Sequence, residues 1–169
     1  MDGGPFQSRK FFSFILSSWQ LYKHYYIRCQ ENNRMKNKIF ELYKPNSLRE
    51  FLDFSKNNPD EKFVYVLQHP PANINILGAS DFGYLVICLP NYGPDSQIIF
   101  SSSPFVFKMQ KNLRDFREQD YVLLTGDPAI IGISCAIVCD KTNGKFNLLK
   151  WDRREAKYYP INFDLYQKG

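Results

Sequence analysis

The stretch YVLLTGDPAIIGISCAIVCDKTNGKFNLL, residues 121–149, decides the fold. It opens with a short run of residues that favour a β-strand and then turns at Gly126. The next two residues, Asp127 and Pro128, favour the N-cap and the first turn of a helix. The helical part is almost wholly apolar, which predicts a helix that is buried rather than amphipathic. An Asn-Gly pair ends it and a second strand follows, so the stretch predicts a βαβ unit with parallel strands and a right-handed crossover.

Outside this unit, strand and helix signals alternate from Met35 to the C-terminus. Runs of β-branched and aromatic residues predict strands, and Pro160 in the last run is tolerated at a sheet edge. The predicted strands are 39–43, 63–67, 84–89 and 158–163, the predicted helices begin near Leu48 and Ser103, and residues 72–82 are predicted to be a loop. We therefore expect an α/β fold: a small three-layer sandwich with a mostly parallel sheet, a C-terminal βαβ unit and an antiparallel edge strand.

The positive charge of the chain is concentrated at its N-terminus. The net charge is +5, and residues 1–38 carry seven basic and two acidic side chains, so the remaining residues are balanced. A balanced domain has no general attraction to phosphate backbones. The length of 169 residues suits one domain. We expect a single α/β domain over residues 35–169, preceded by a basic, aromatic extension, residues 1–34, that is disordered or forms one amphipathic helix.

The extension offers two kinds of contact. Residues 10–27 place aromatic side chains at helical spacing beside basic ones, which would suit an anionic membrane surface or the groove of a partner. Membrane contact is expected only if residues 10–27 belong to the native protein. The same basic segment is also a candidate for binding nucleic acid.

Residues 150–159 are the best candidate for an interaction surface within the domain. They mix cations with aromatic rings in a predicted hairpin, a composition that contacts nucleic-acid backbones and stacks on bases. The candidate residues are Lys150, Trp151, Arg153, Arg154, Lys157, Tyr158 and Tyr159. The sequence nevertheless favours a solvated hairpin with cross-strand ion pairs over an interaction surface, because two carboxylates reduce the net charge of this segment to +2.

A second candidate site lies where the predicted strand of residues 121–125 ends. α/β sheets bind ligands in crevices at the carboxyl ends of their strands. The candidate ligand-binding residues there are His69, Thr125, Gly126 and Asp152. No phosphate-binding glycine motif is present, and Asp127, as a helix cap, would occupy the free N–H groups and repel a phosphate.

The cysteines and histidines predict neither a metal site nor a catalytic centre. Cys135 and Cys139 share one helix face, but no neighbouring histidine completes a zinc site, so we expect them to pack as small apolar residues. His69 has no nucleophile motif around it. We therefore predict no catalytic residue, no metal and no cofactor. The cysteines suggest no disulfide framework, which favours an intracellular, reducing compartment.

Two segments of the C-terminal half resemble known viral proteins. DYVLLTGDPAIIGI, residues 120–133, and KFNLLKWDRREAKYYP, residues 145–160, are similar to small bacteriophage or marine-virus-like α/β proteins of no known activity. The resemblance implies a virus-encoded accessory protein that starts at Met35. We expect a non-enzymatic binding protein that acts through contacts with a protein partner or nucleic acid. The alternative is a small nucleotide- or phosphometabolite-binding enzyme that uses the crevice near Gly126.

Overall fold

The structure is a computed structural model that describes residues 38–71, 74–91 and 103–167. In chain order the elements are β1 (Ile39–Glu41), α1 (Ser47–Asn57), β2 (Phe63–Gln68), a 3-10 helix (Leu77–Asp81), β3 (Tyr84–Leu89), α2 (Ser103–Asn112), β4 (Tyr121–Leu123), α3 (Pro128–Lys141), β5 (Lys145–Asp152) and β6 (Lys157–Asp164). The predictions for residues 1–34, including the segment 10–27, lie outside the described residues.

The strands form one sheet in the order β1-β3-β2-β4-β5-β6. The first five strands are parallel, and β6 pairs with β5 in the antiparallel sense. The predicted α/β class is confirmed, with its mostly parallel sheet, its βαβ unit of β4, α3 and β5, and its antiparallel edge strand. The loop predicted over residues 72–82 contains the 3-10 helix, which sequence patterns of this length do not reveal.

The connections between parallel strands share one handedness. From β1 to β2, from β3 to β4 and from β4 to β5 the chain moves in one direction along the sheet. The connecting helices α1, α2 and α3 contribute Phe51, Met109 and Ile130 to the core on one face. From β2 to β3 the chain moves in the opposite direction along the sheet and crosses its other face, where the 3-10 helix places Ala79 in the core. Because both the direction and the face are reversed, this connection has the same handedness as the others. In the described residues, this 3-10 helix provides the third layer of the sandwich.

The centre of the sheet is buried on both faces. All six positions of β2 and all six of β3 are buried, as the continuous apolar sequence of residues 84–89 predicts. The prediction that α3 is wholly buried is wrong for one side, because Ala129, Gly132 and Ala136 are exposed. The helix lies in an outer layer, so only its sheet-facing side, which includes Ile130 and Val138, is covered.

A buried carboxylate joins the segments that lead into β2 and β4. Asp120 is fully buried, and its Oδ1 accepts a hydrogen bond of 3.0 Å from the Phe63 N–H. Its Oδ2 accepts one of 2.9 Å from the Arg117 N–H, and the Arg117 guanidinium lies 3.3 Å from Oδ1. Burial raises the pKa of Asp120, and the hydrogen bonds and charge of Arg117 oppose that shift.

Candidate ligand-binding crevice

A cavity of about 1000 Å³ lies over the carboxyl end of β4. Its floor is formed by residues 123–126, one wall by residues 69–71 and 74–75 after β2, and the other wall by the hairpin of β5 and β6. The cavity exists because β4 stops short: its pairing with β5 ends at Leu123 opposite Leu149, whereas β5 continues to Asp152. We call this cavity the crevice.

The topology of the sheet places the crevice at a switch point. The chain leaves β2 over the face of the 3-10 helix, whereas it leaves the neighbouring β4 over the face of the three α-helices. Two connections that diverge to opposite faces leave an opening between the strand ends, and this is where open α/β sheets bind their ligands.

The floor of the crevice requires a glycine. Gly126 has φ +114°, a conformation that L side chains rarely adopt, and a Cβ there would lie 2.4 Å from Gln68 Oε1. The Gln68 side chain is fully buried, and its Oε1 accepts a hydrogen bond of 2.9 Å from the Asp127 N–H. The Gln68 carbonyl accepts one of 2.8 Å from the Thr125 hydroxyl. These bonds fix the turn between β4 and α3.

Gln68 was not among the residues predicted from the sequence. It ends the otherwise apolar strand FVYVLQ, and a polar residue at that position was the available signal. Its Nε2 is buried and has no hydrogen-bond partner among the described residues. An unpaired buried donor is unfavourable, and the hydrogen bond that the oxygen of this amide accepts under the crevice offsets part of that cost.

The helix that follows the crevice floor is capped as predicted. Asp127 Oδ1 accepts a hydrogen bond of 2.7 Å from the Ala129 N–H, and Pro128 occupies the first turn of α3. The carboxylate therefore interacts with the positive end of the helix dipole. A phosphate at the same position would meet a negative charge, as the sequence suggests.

The hairpin wall presents an aromatic pair. The rings of Trp151 and Tyr158 lie across from each other on β5 and β6, with centroids 4.8 Å apart. Tyr158 is buried, and its hydroxyl donates a hydrogen bond of 3.3 Å to the Asn75 carbonyl on the opposite wall. Trp151 remains 43% exposed, so part of its ring is available to a ligand.

The turn of the hairpin is held by its own polar groups. Asp152 Oδ1 accepts hydrogen bonds from the Arg154 N–H at 2.7 Å and the Glu155 N–H at 3.1 Å, and these bonds lower the pKa of Asp152. Glu155 forms an ion pair with Lys157 and accepts a hydrogen bond from the Tyr159 hydroxyl. The hydrogen bonds that Glu155 accepts lower its pKa, and the hydrogen bond to Glu155 raises that of Lys157.

The crevice brings together residues from both predicted sites. Its lining includes Lys150, Trp151, Arg153 and Tyr158 from the hairpin set, and His69, Thr125 and Gly126 from the strand-end set. Arg154, Lys157, Tyr159 and Asp152 do not line it. Asp152 accepts backbone hydrogen bonds from the turn, and Lys157 forms its ion pair with Glu155, two residues earlier in the chain rather than across the strands.

The charged groups of the lining all have one sign. Lys150 and Arg153 are its formal cations, and none of the described lining residues is an Asp or a Glu. The remainder is largely apolar and includes Ile74, Leu124 and Ile161, which the sequence did not single out. The crevice therefore combines positive charge, aromatic surface and apolar surface.

The part of the chain that the structure describes holds neither a cluster of metal ligands nor a helix that could span a membrane. No group of three or more His, Cys, Asp or Glu side chains there could hold a metal ion. No helix among those residues is both long enough and apolar enough to cross a membrane.

The fold and the crevice define a small α/β protein with a strand-end cavity at a topological switch point. The chain belongs to the family described as Phage Pam3 gp32-like protein, which matches residues 62–165, more than half of its length. The matched range contains the whole lining of the crevice. Neither a search of curated proteins nor a search of solved structures found a match. The predicted resemblance to phage proteins is confirmed, and the family fits a virus-encoded protein.

Proposed function

We propose that this phage-family protein is a non-enzymatic binding protein and that the crevice is its binding site. The ligand that the crevice fits carries a flat ring together with negative charge. One observation carries the proposal: a single cavity of about 1000 Å³ is lined both by the partly exposed ring of Trp151 and by the cations Lys150 and Arg153, with no carboxylate among its described lining residues.

The chemistry of the lining supports each part of that ligand. An indole face attracts flat rings by stacking, and base–aromatic contacts are tolerant of the particular ring. Two cations line the crevice and no carboxylate is among its described lining residues, so the lining attracts an anion, and a partly enclosed site weakens this attraction less than bulk water does. The apolar floor and walls favour the ring over a fully hydrated anion.

The arrangement supports binding rather than proton transfer. The carboxylate of Asp127 caps α3, and that of Asp152 accepts two backbone hydrogen bonds outside the crevice. The remaining titratable candidate, His69, has its Nδ1 2.9 Å from the Pro70 carbonyl oxygen. General acid–base catalysis needs a titratable group positioned at the reacting atoms, and both of these carboxylates are committed to the backbone.

A reducing compartment remains part of the proposal. The described cysteines, Cys88, Cys135 and Cys139, are free thiols. Burial raises the pKa of Cys88 and of Cys135, which keeps both protonated and poorly reactive. Stable free thiols of this kind are typical of a cytoplasmic environment.

The proposal is tested with a small anionic aromatic probe, 8-anilinonaphthalene-1-sulfonate, titrated into the full chain and followed by its fluorescence. The matched variants are R153A and R154A, because these neighbouring arginines share one turn and only Arg153 lines the crevice. We expect R153A to weaken binding about tenfold, as for the loss of a charge-assisted contact. R154A should change it less than about twofold. Absent binding, or equal losses in both variants, would contradict the proposal.

A further inference from the structure

The crevice runs across the end of the sheet instead of opening on one face. Leu149 and Tyr158 belong to the core on the face of the 3-10 helix, whereas Leu148 packs on the face of the three α-helices. Side chains alternate along a strand, so Trp151 shares the face of Leu149 and Lys150 shares the face of Leu148. All of these residues line the same cavity.

A ligand that contacts both Trp151 and Lys150 must therefore pass over the end of β4. Packed sheets lie about 10 Å apart, so a side chain extends about 5 Å from its own sheet. Side chains on opposite faces of one sheet therefore end about 10 Å apart. A single ring with one anionic group reaches one face at a time. A chain that repeats a ring and an anionic group reaches both.

Resting on the proposed function, we infer that the crevice binds single-stranded nucleic acid. One base lies against the exposed part of the Trp151 ring, and the backbone crosses the turn at Gly126 toward Lys150 with Arg153 beside it. Because Gly126 has no side chain, nothing projects from the crevice floor at the point where the nucleic-acid backbone crosses it. A duplex does not fit this path, because its bases are already stacked on each other and its backbones are held apart.

The inference makes a quantitative statement about salt. A protein that neutralises Z phosphates of a single strand shows a slope of log K against log salt of about −0.7Z. Two lining cations, Lys150 and Arg153, contribute about −1.4 to this slope. K150A and R153A should each make the measured slope less negative by about 0.7, whereas R154A should leave it near the wild-type value.

The experiment measures binding of adenosine monophosphate, oligodeoxyadenylates of up to about eight nucleotides and the matching duplex to the full chain at several salt concentrations. We expect the oligomers to bind at least about tenfold more tightly than the monophosphate and the duplex, with the slopes given above. The circular dichroism of each variant confirms that it is folded.

Failure of the inference and failure of the proposed function give different results. If the monophosphate binds as tightly as the oligomers, the polymer inference is overturned while the binding site stands. If polyglutamate competes as well as the oligomers do, an acidic protein segment replaces nucleic acid as the ligand. If the naphthalenesulfonate probe, the monophosphate and the oligomers all fail to bind, both proposals fall.

Discussion

Replacing Gly126 with alanine tests the geometry beneath the crevice. The φ of +114° at this position is outside the range that L side chains readily adopt. The new Cβ would also lie 2.4 Å from Oε1 and 2.5 Å from Cβ of Gln68. Because the contacted Cβ is bonded directly to the backbone of β2, the clash cannot be relieved at the tip of the side chain alone.

The magnitude follows from two costs. Holding a non-glycine residue in such a conformation costs about 1–3 kcal/mol. Moving Gln68 breaks the hydrogen bond of 2.9 Å that its Oε1 accepts from the Asp127 N–H, which adds about 1 kcal/mol. We therefore expect G126A to lower the free energy of unfolding by about 2–4 kcal/mol, a large part of the usual 5–15 kcal/mol.

The chain offers a matched control at Gly132 in α3. A Cβ at Gly132 meets no atom within 4 Å, and the residue lies inside a helix, where alanine is about 0.5–1 kcal/mol more favourable than glycine. Urea denaturation of the full chain, followed by far-ultraviolet circular dichroism, should show opposite signs for G126A and G132A. Stability changes of the same sign and similar size in both variants would refute the reasoning.

Two further predictions concern stability and titration. D120A should lower the free energy of unfolding by at least about 2 kcal/mol, since it leaves the Phe63 N–H and the Arg117 N–H without their acceptor, at about 1–3 kcal/mol for each. D164A removes an exposed ion pair and should cost less than about 1 kcal/mol, so equal midpoints in urea would contradict this account. Burial, followed by the hydrogen bond to Glu41 and its charge, raises the pKa of Tyr43 to about 12. As the pH rises, the Tyr43 hydroxyl loses its proton in the unfolded chain, near pH 10, before it does so in the folded chain, near pH 12. The free energy of unfolding therefore falls between about pH 10 and about pH 12. E41Q should shift the Tyr43 absorbance titration to lower pH, and an unchanged curve would show that Glu41 has no influence.

The βαβ unit could be predicted because its signals are local. Asp127, Pro128 and the Asn-Gly pair after α3 mark the ends of the helix within a few residues, and the structure uses each of them in that way. Pro160 marked the edge strand for the same reason, since it has no N–H to donate to a further strand. Turns and helix caps depend on residues that are neighbours in the sequence, so their positions could be predicted from the sequence.

The crevice could not be assembled from the sequence because it depends on strand order. His69 and Trp151 are far apart in the chain and meet only because β2 pairs with β4 and β4 pairs with β5. Sequence patterns identified the hairpin residues and the strand-end residues as separate candidates, but they did not show that the two sets line one cavity. They also gave no indication of Gln68 beneath the floor or of Asn75 on the far wall, since each has its role through one long-range hydrogen bond.

The exposure of α3 shows a second limit of sequence patterns. An apolar helix predicts burial on all sides, but the number of layers above it is set by the rest of the fold. Ala129, Gly132 and Ala136 are small, so little apolar surface is exposed although each position is open. Composition alone does not separate a buried helix from one whose outer face consists of small residues.

The most direct test of the central claim uses Trp151 as its own reporter. The chain has two tryptophans, and W19F leaves only the one that lines the crevice. Oligodeoxyadenylate titrated into the full-length W19F chain should change the emission of Trp151 in a saturable manner, and R153A should shift the curve to higher concentration about tenfold. Binding detected by another method while the Trp151 emission stays constant would contradict the account, because the ligand would then lie away from the crevice.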